Sequence, residues 1–234
     1  MISFAPPICA VDATSKPGGD WLARHSQVRL AVQDDFSPVD SADGKGLQHG
    51  LAADYLRMIA DRTGLKFRLV TTHGLDDSID ALRQGRVDMI ASAFVSADHS
   101  ELALFSAPYL RLPCAAFVRN ADTSLHLEQL DSHSIGLIAG HVCGDRVVEF
   151  APRASISKYS QASAAIAALA SGKVDAVVGD MVTIQAVASG NAPRMAGQIG
   201  GDGALAFAVR KDWPQLIQVL DAALAKISVD EETT

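Results

Sequence analysis

The feature that most constrains this fold is an internal echo, in which ALRQGRVDMI (residues 81–90) recurs as ALASGKVDAV (residues 168–177). In each copy an amphipathic segment leads to a glycine, then to a basic residue, valine and aspartate, and then to an apolar run. Because glycine commonly ends helices and a short apolar run after a turn indicates a strand, each copy predicts a helix-turn-strand unit. Two copies predict two similar lobes; the alternative is that such units are common to any βα protein.

Alternation of helices and strands continues around each copy. Leu51, Tyr55 and Ile59 share one helical face that Gly64 ends, and residues 66–71 predict a strand. This pattern is typical of α/β folds, with mixed, mainly parallel sheets flanked by helices. In the second half the predicted strands are residues 135–139 and 174–178.

Two extended segments are predicted to cross between the lobes as hinge strands. Residues 108–119 leave the first half, and the glycine-rich residues 200–203, followed by the apolar residues 204–209, return to it. The expected organisation is an N-terminal tail (1–20), lobe 1 (21–112 plus 201–234) and lobe 2 (113–200).

Composition excludes several classes of protein. The net charge is −7 and the basic residues are scattered, which argues against a nucleic-acid partner. No apolar run approaches the roughly 20 residues that span a membrane. Residues 1–13 are apolar but lack a basic n-region, so we expect the start of an exported precursor to lie outside this sequence.

The three cysteines, Cys9, Cys114 and Cys143, are too few and too widely spaced for a disulfide framework or a CxxC metal site. The simplest interpretation is that they are unpaired, buried small residues. The alternative is one disulfide with one thiol left over.

Five segments resemble one protein family. They are WLARHSQVRLAVQDDFSPVD, GLAADYLRMIADRTGLKF, LRQGRVDMIASAFVSADHSELALFSAPYL, SGKVDAVVGD and FAVRKDWPQLIQVLDAALAKIS, and together they extend from Trp21 to about Thr234. The chain is thereby similar to the family 3 periplasmic solute-binding proteins and, more narrowly, to the Venus flytrap sensor domains of Bvg-type sensor histidine kinases. The lead WLARH and the segment VRKDWP are typical of the sensor version.

This resemblance implies a two-lobed, type II periplasmic-binding-protein-like fold. It also implies a periplasmic sensor domain of an inner-membrane two-component kinase, with no catalytic residues, no cofactor and no metal. The implied partners are a small polar molecule (an amino acid, or a small carboxylate or amine) or no ligand at all, an adjoining flytrap or membrane helix of the same polypeptide, and a second copy in a homodimer. The C-terminal KISVDEETT resembles the connector to such a neighbour.

The ligand cleft is expected where the two echoed strands end, because ligands of open α/β sheets bind outside the carboxyl ends of strands. One strand ends near Ser92 and the other at Asp180. From the resemblance, Phe36 forms an aromatic wall over the ligand, and Ser92 and Phe94 are first-lobe contacts. Relatives often have a small polar residue at position 94, so the pocket is expected to be smaller or more apolar than usual.

Other positions depart from the amino-acid-binding pattern. His99 stands where those members have a carboxylate-gripping arginine, so that clamp is absent; the alternative is a solvated surface histidine. His141 and Val142 replace two hydroxyl residues after Gly140, which leaves only the backbone part of an anion site. Asp180 matches the acid that receives the ligand amino group, or else it caps the following helix.

Several rival functions remain open from the sequence. His99, His141 and Asp180 could form a two-histidine, one-carboxylate metal site, although they come from separate segments without ligand spacing. A free receptor for an ABC uptake system is the alternative function, and a dehydratase on the same fold is a remote one, since no second carboxylate or nucleophile accompanies the candidate acid and base. A domain that rests closed without ligand is a further alternative.

Overall fold

The computed structural model describes residues 19–34, 36–43, 45–139, 141–188 and 192–231. Most of the expected N-terminal tail, with Cys9, lies outside the described residues, as does Gly140. Helices are α1 (Gly19–Arg24), α2 (Leu51–Thr63), α3 (Gly74–Arg83), α4 (Ala97–Ser100), α5 (Val147–Phe150), α6 (Ala162–Ala170), α7 (Met181–Val187) and α8 (Pro214–Glu231), with 3₁₀ turns at Leu127–Ser132 and Val142–Arg146. Strands are β1 (Gln27–Gln33), β2 (Ser41–Ala42), β3 (Gln48–His49), β4 (Lys66–Thr72), β5 (Met89–Phe94), β6 (Leu104–Phe105), β7 (Leu110–Val118), β8 (Ser134–Ile138), β9 (Ser155–Tyr159), β10 (Ala176–Asp180) and β11 (Arg194–Val209).

Hydrogen bonds connect the main strands in the order β4-β1-β5-β11-β7-β10-β8-β9, and β6 pairs with β11. Strands β4, β1 and β5 are parallel, and so are β10, β8 and β9. Strands β7 and β11 run antiparallel to their neighbours. The predicted mixed, mainly parallel α/β arrangement is therefore confirmed. We call the half with β1, β4, β5 and β6 the first lobe and the half with β8, β9 and β10 the second lobe.

The two long strands β7 and β11 carry the chain across between the lobes. The first-lobe strand β5 pairs with residues 205–209 of β11, whereas the second-lobe strand β10 pairs with residues 114–118 of β7. Between these regions the register of β11 against β7 shifts from Gln198 to Asp202. Gly200 and Gly201 lie in this shift with φ of 75° and 67°, a region that glycine enters without steric cost.

Each lobe has its own apolar core, and burial of such cores is the main driving force of folding. In the first lobe Leu56 of α2 and Leu220 of α8 belong to the same buried cluster as Leu30 of β1. In the second lobe Ile135 of β8 and Val178 of β10 share another cluster. None of the helices in the described part of the chain is both long and apolar enough to cross a bilayer.

The echoed aspartates perform the same structural task in both lobes. The carboxylate of Asp88 accepts a hydrogen bond from the backbone N of Arg29 at 3.0 Å, which ties the turn before β5 to β1. Likewise, the carboxylate of Asp175 accepts from the backbone N of Ser134 at 3.0 Å, which ties the turn before β10 to β8. Burial acts to raise the pKa of both carboxyls, but hydrogen bonds from the side chain and backbone of Arg29 to Asp88, and of Ser134 to Asp175, outweigh it and hold each pKa below its ordinary value.

Candidate functional site

A small inner cavity lies between the lobes at the carboxyl ends of β5 and β10. Its volume is about 50 Å³, which is room for roughly three to five water molecules and far less than the usual several hundred Å³ of a ligand pocket. Phe36, Ser92, Phe94 and His141, four of the seven predicted site residues, line it.

The aromatic ring of Phe94 brings the two lobes into contact. It is buried at the end of β5, and its centroid lies 4.4 Å from the imidazole of His141 and 5.7 Å from the ring of Phe36. A Cβ atom at Gly203 would lie 2.7 Å from Cε1 of Phe94 and 3.0 Å from Cγ1 of Val142. The absence of a side chain at Gly203 therefore allows both lobes to close on β11.

His141 is held by hydrogen bonds at both ring nitrogens. The backbone N–H of Cys143 donates to Nδ1 at 3.2 Å, so Nδ1 carries no proton. The N–H at Nε2 then donates to Oδ2 of Asp180 at 2.8 Å. This arrangement assigns the neutral tautomer with its proton on Nε2, and it leaves only the face of the ring for contact with other groups.

Asp180 is completely buried and uses both carboxylate oxygens inside the second lobe. Oδ2 accepts from His141, and Oδ1 accepts from the backbone N of Thr183 at 2.8 Å, which makes Asp180 the N-cap of α7. Burial acts to raise the pKa of this carboxyl, but the hydrogen bonds from His141 and Thr183 prevail and lower it. Asp180 therefore caps helix α7, as one of the two interpretations proposed. Its contact with a ligand, the other interpretation, stays a prediction.

A disulfide joins Cys114 of β7 to Cys143 in the turn after His141, with Cα atoms 5.5 Å apart. The interpretation of these two residues as unpaired thiols is therefore wrong, and the alternative of one pair is correct. Pairing of β10 with β7 places Asp180 beside Cys114, so the disulfide fixes the turn of His141 against the strand next to its carboxylate partner.

Behind the first-lobe wall lies a buried polar network that the sequence did not reveal. The hydroxyl of Ser92 is 2.8 Å from that of Tyr109, and Nε2 of Gln33 donates to the Ser92 carbonyl at 2.6 Å. The carboxylate of Asp40 accepts from the backbone N of Gln33 and from Nε2 of Gln48. Burial raises the pKa of Asp40 to about 7, against the opposing effect of these two hydrogen bonds.

His99 and Val142 face a different space from the other predicted residues. Together with His141 they line a second, wider cavity of about 600 Å³, whose other walls include the charged residues Asp98 and Lys158. Nδ1 of His99 is 3.1 Å from the carbonyl oxygen of Phe94. The predicted site is therefore divided between two neighbouring cavities, both of which His141 lines.

Among the residues that the structure describes, no group of three His, Cys, Asp or Glu side chains is arranged to hold a metal ion. His141 and Asp180 are paired with each other, whereas Nδ1 of His99 lies near the carbonyl oxygen of Phe94.

Comparison with known proteins places this geometry among ligand-binding and sensor domains. The model of the family described as "Bacterial extracellular solute-binding proteins, family 3" matches residues 28–234. The "Virulence sensor protein BvgS" of Bordetella pertussis is 26% identical over 238 residues, which cover 98% of this chain and 19% of that protein. The chain thus spans about a fifth of the length of this relative.

Solved structures agree with the sequence comparison. The crystal structure of the Bordetella pertussis BvgS periplasmic VFT2 domain is similar with a TM-score of 0.83 at 26% identity, covering 91% of this chain and 92% of that one. An ancestral arginine-binding protein bound to glutamine has a TM-score of 0.77 at 26% identity, covering 88% of this chain and 93% of that one. The two-lobed flytrap architecture that the sequence predicted is confirmed by these likenesses.

Proposed function

The chain belongs to the bacterial extracellular solute-binding proteins, family 3, and from this premise we propose that it is the periplasmic ligand-sensing domain of a membrane-bound two-component sensor histidine kinase. Its similarity to sensor proteins and to a solute-binding family makes it a binding domain with an extracytoplasmic location. The kinase activity of the parent protein, its inner-membrane attachment and a homodimeric assembly are parts of the proposal.

One observation carries this proposal: the ring of Phe94 from the first lobe lies 4.4 Å from that of His141 in the second lobe, across the cleft. A ligand that enters or leaves this contact has different affinities for open and closed lobes, and that difference is what converts binding into a change of conformation. We propose that the moving bodies are residues 21–112 plus 201–234 and residues 113–200.

The proposed ligand-binding residues form two groups. Phe36, Ser92, Phe94 and His141 would contact a ligand in the inner cavity, and His99 and Val142 would contact a ligand in the wider cavity. Asp180 would act on the ligand through His141, its partner in the same lobe.

A free receptor of an ABC uptake system is the alternative function. The likeness to an ancestral arginine-binding protein supports it, with a TM-score of 0.77 compared with 0.83 for the BvgS domain. The absence of the arginine clamp at His99 argues against an amino-acid receptor of the usual type. The sensor function is therefore the better supported of the two.

The decisive experiment measures the distance between the lobes. Spin labels at Asp80, which is exposed on α3, and at Glu149, which is exposed on α5, would report the distance by electron-electron double resonance in a Cys9→Ser background. We expect that any compound that raises the melting temperature also shifts this distance distribution. A compound that binds and leaves the distribution unchanged would refute signalling by lobe movement. Autophosphorylation of the full-length parent in membranes, with and without that compound, separates the sensor from the free receptor.

A further inference from the structure

We infer that the inner cavity selects a small uncharged molecule that combines an amide or hydroxyl group with an apolar part, in place of a zwitterionic amino acid. This inference rests on the proposed function, because it names the class of ligand for the same cleft. Three independent observations support it: the charge of the cavity walls, an unsatisfied hydroxyl group and the nature of the remaining surface.

The described residues of the cavity walls provide no side chain of fixed charge to pair with a charged ligand. The thirteen described residues that line the cavity include no Asp, Glu, Lys or Arg. His141 is the titratable side chain among them, and both of its ring nitrogens are already occupied by Cys143 and Asp180. Burial of an ammonium or carboxylate group without a partner of opposite charge is strongly unfavourable, so both charges of an amino acid are disfavoured here.

The buried carboxylate of Asp180 adds to this selection against anions. It lies directly behind His141 and is ionised at neutral pH, because its hydrogen bonds lower its pKa. An ammonium group would be attracted by this charge, but it would find both oxygens of Asp180 occupied and the side chain fully buried. Neither sign of charge therefore meets an available side chain of opposite charge among the lining residues that the structure describes.

Neutral hydrogen-bonding groups remain available. Oγ1 of Thr183 is buried and has no hydrogen-bond partner in the described part of the protein, although Thr183 lines the cavity. Helix α6 begins at the cavity with Ala162, and its N-cap Gln161 makes no side-chain cap. Buried polar groups almost always have a hydrogen-bond partner. A ligand with a carbonyl or hydroxyl oxygen would accept hydrogen bonds from the Thr183 hydroxyl and from the first backbone N–H groups of α6.

The remaining surface of the cavity is apolar. Phe36, Leu75, Phe94 and Ile138 surround the polar groups. A volume of about 50 Å³ admits only a few non-hydrogen atoms. The geometry therefore matches a molecule of the size of propionamide, with its amide toward Thr183 and its alkyl group toward the aromatic rings.

Four compounds of nearly equal size and different charge test the inference by thermal shift and calorimetry: propionamide, propionate, propylammonium and alanine. We expect propionamide at roughly five times its Kd to raise the melting temperature by about 2 to 4 °C. The three charged compounds should give smaller shifts at the same concentration.

Variants at Thr183 connect the result to the cavity. Thr183→Val removes the hydroxyl at nearly constant volume and should weaken propionamide binding about 5- to 10-fold, whereas Thr183→Ser should retain binding. Thr123→Val makes the same change at an exposed position of the second lobe outside the cleft and should have no effect. Because the Thr183 hydroxyl is unsatisfied, we expect Thr183→Val to remain as stable as the parent chain.

The inference is overturned if a charged compound binds as well as propionamide, if Thr183→Val binds propionamide undiminished, or if none of the four binds up to roughly 100 mM, where even a weak ligand shifts the equilibrium by mass action. If alanine binds and moves the lobes, the proposed sensor function stands and the inference about ligand charge fails. If propionamide binds without any change in the lobe distance, the inference stands and lobe signalling fails.

Discussion

Trp21 and Trp213 meet edge to face, with ring centroids 5.2 Å apart, although they come from opposite ends of the chain. His25 stacks on Trp21 at 4.5 Å, and the guanidinium of Arg210 lies 5.2 Å from the centre of the Trp213 ring. The lead WLARH and the segment VRKDWP therefore pack against each other. Both belong to the first lobe, so this contact joins the segment before β1 to the turn between β11 and α8.

Removal of Trp21 should strongly destabilise the domain. Trp21 is 8% exposed, and truncation of a buried Trp to Ala leaves a cavity that costs about 3 to 5 kcal/mol. Urea denaturation of Trp21→Ala measures this loss. Leu22→Ala, on the same helix but only partly buried, is the control, and a loss for Trp21→Ala no larger than that of the control would contradict the role of the aromatic cluster.

The buried Asp40 should make stability depend on pH near neutrality. Its folded pKa of about 7 lies above the ordinary value, so between about pH 4 and pH 7 the folded state holds a proton that the unfolded chain has released. The free energy of unfolding should therefore fall as pH rises through this window, by at most about 4 kcal/mol, and stay low above it.

Asp40→Asn should remove this decline and stabilise the protein at pH 8 relative to the parent chain. Urea midpoints between pH 5 and pH 8 provide the measurement. Asp54→Asn, on the exposed side of α2, controls for the change in net charge. A parent chain that is equally stable at pH 5 and pH 8 would show that Asp40 is ionised throughout.

Gly50 should tolerate substitution much less than Gly64, although both have positive φ, at 104° and 78°. A Cβ at Gly50 would lie 2.5 Å from the carbonyl oxygen of Pro38, whereas a Cβ at Gly64 would have no atom within 4 Å. We expect Gly64→Ala to cost about 1 to 2 kcal/mol from the left-handed backbone alone, and Gly50→Ala to cost at least about 2 kcal/mol more because of the steric overlap. Equal losses in urea denaturation would mean that the segment of Phe36 moves freely away from α2.

Gly203→Ala should open the cleft. The new methyl group would overlap the ring of Phe94 and contact Val142, which belong to different lobes. The distance between labels at Asp80 and Glu149 should therefore increase, while the double variant Gly203→Ala with Phe94→Leu should return toward the parent distance. An unchanged distance in the single variant would show that the Phe94 ring rearranges inside one lobe.

Most of the fold could be predicted because its signals are local. The internal echo is recognised from apolar residues at helical spacing, a glycine that ends the helix and a following apolar run. Its two aspartates, Asp88 and Asp175, each accept a hydrogen bond from the backbone of a neighbouring strand. The predicted strand at residues 135–139 is Ser134–Ile138, and that at residues 174–178 is Ala176–Asp180. These differences of one or two residues arise because strand ends depend on pairing with neighbours.

The site was harder to predict because its contacts are distant in sequence. The pairing of His141 with Asp180 depends on β8 lying beside β10, and the pairing of Cys114 with Cys143 depends on β7 lying beside β10 as well. Neither strand neighbour of β10 can be deduced from the spacing of residues along the sequence. The hydrogen bond from the backbone N of Thr183 to Asp180 was open to prediction, since the residue three positions after an N-cap aspartate is a usual donor to its carboxylate, but the place of the Thr183 hydroxyl in the cavity was not.

The disulfide between Cys114 and Cys143 has a consequence for where this protein can mature. Such bonds form and persist in oxidising compartments and are rare in the reducing cytosol. Synthesis with both thiols kept reduced would build the strands but leave the loop of His141 without its covalent anchor. Recombinant material from a reducing host should therefore be assayed for free thiols before any negative binding result is accepted.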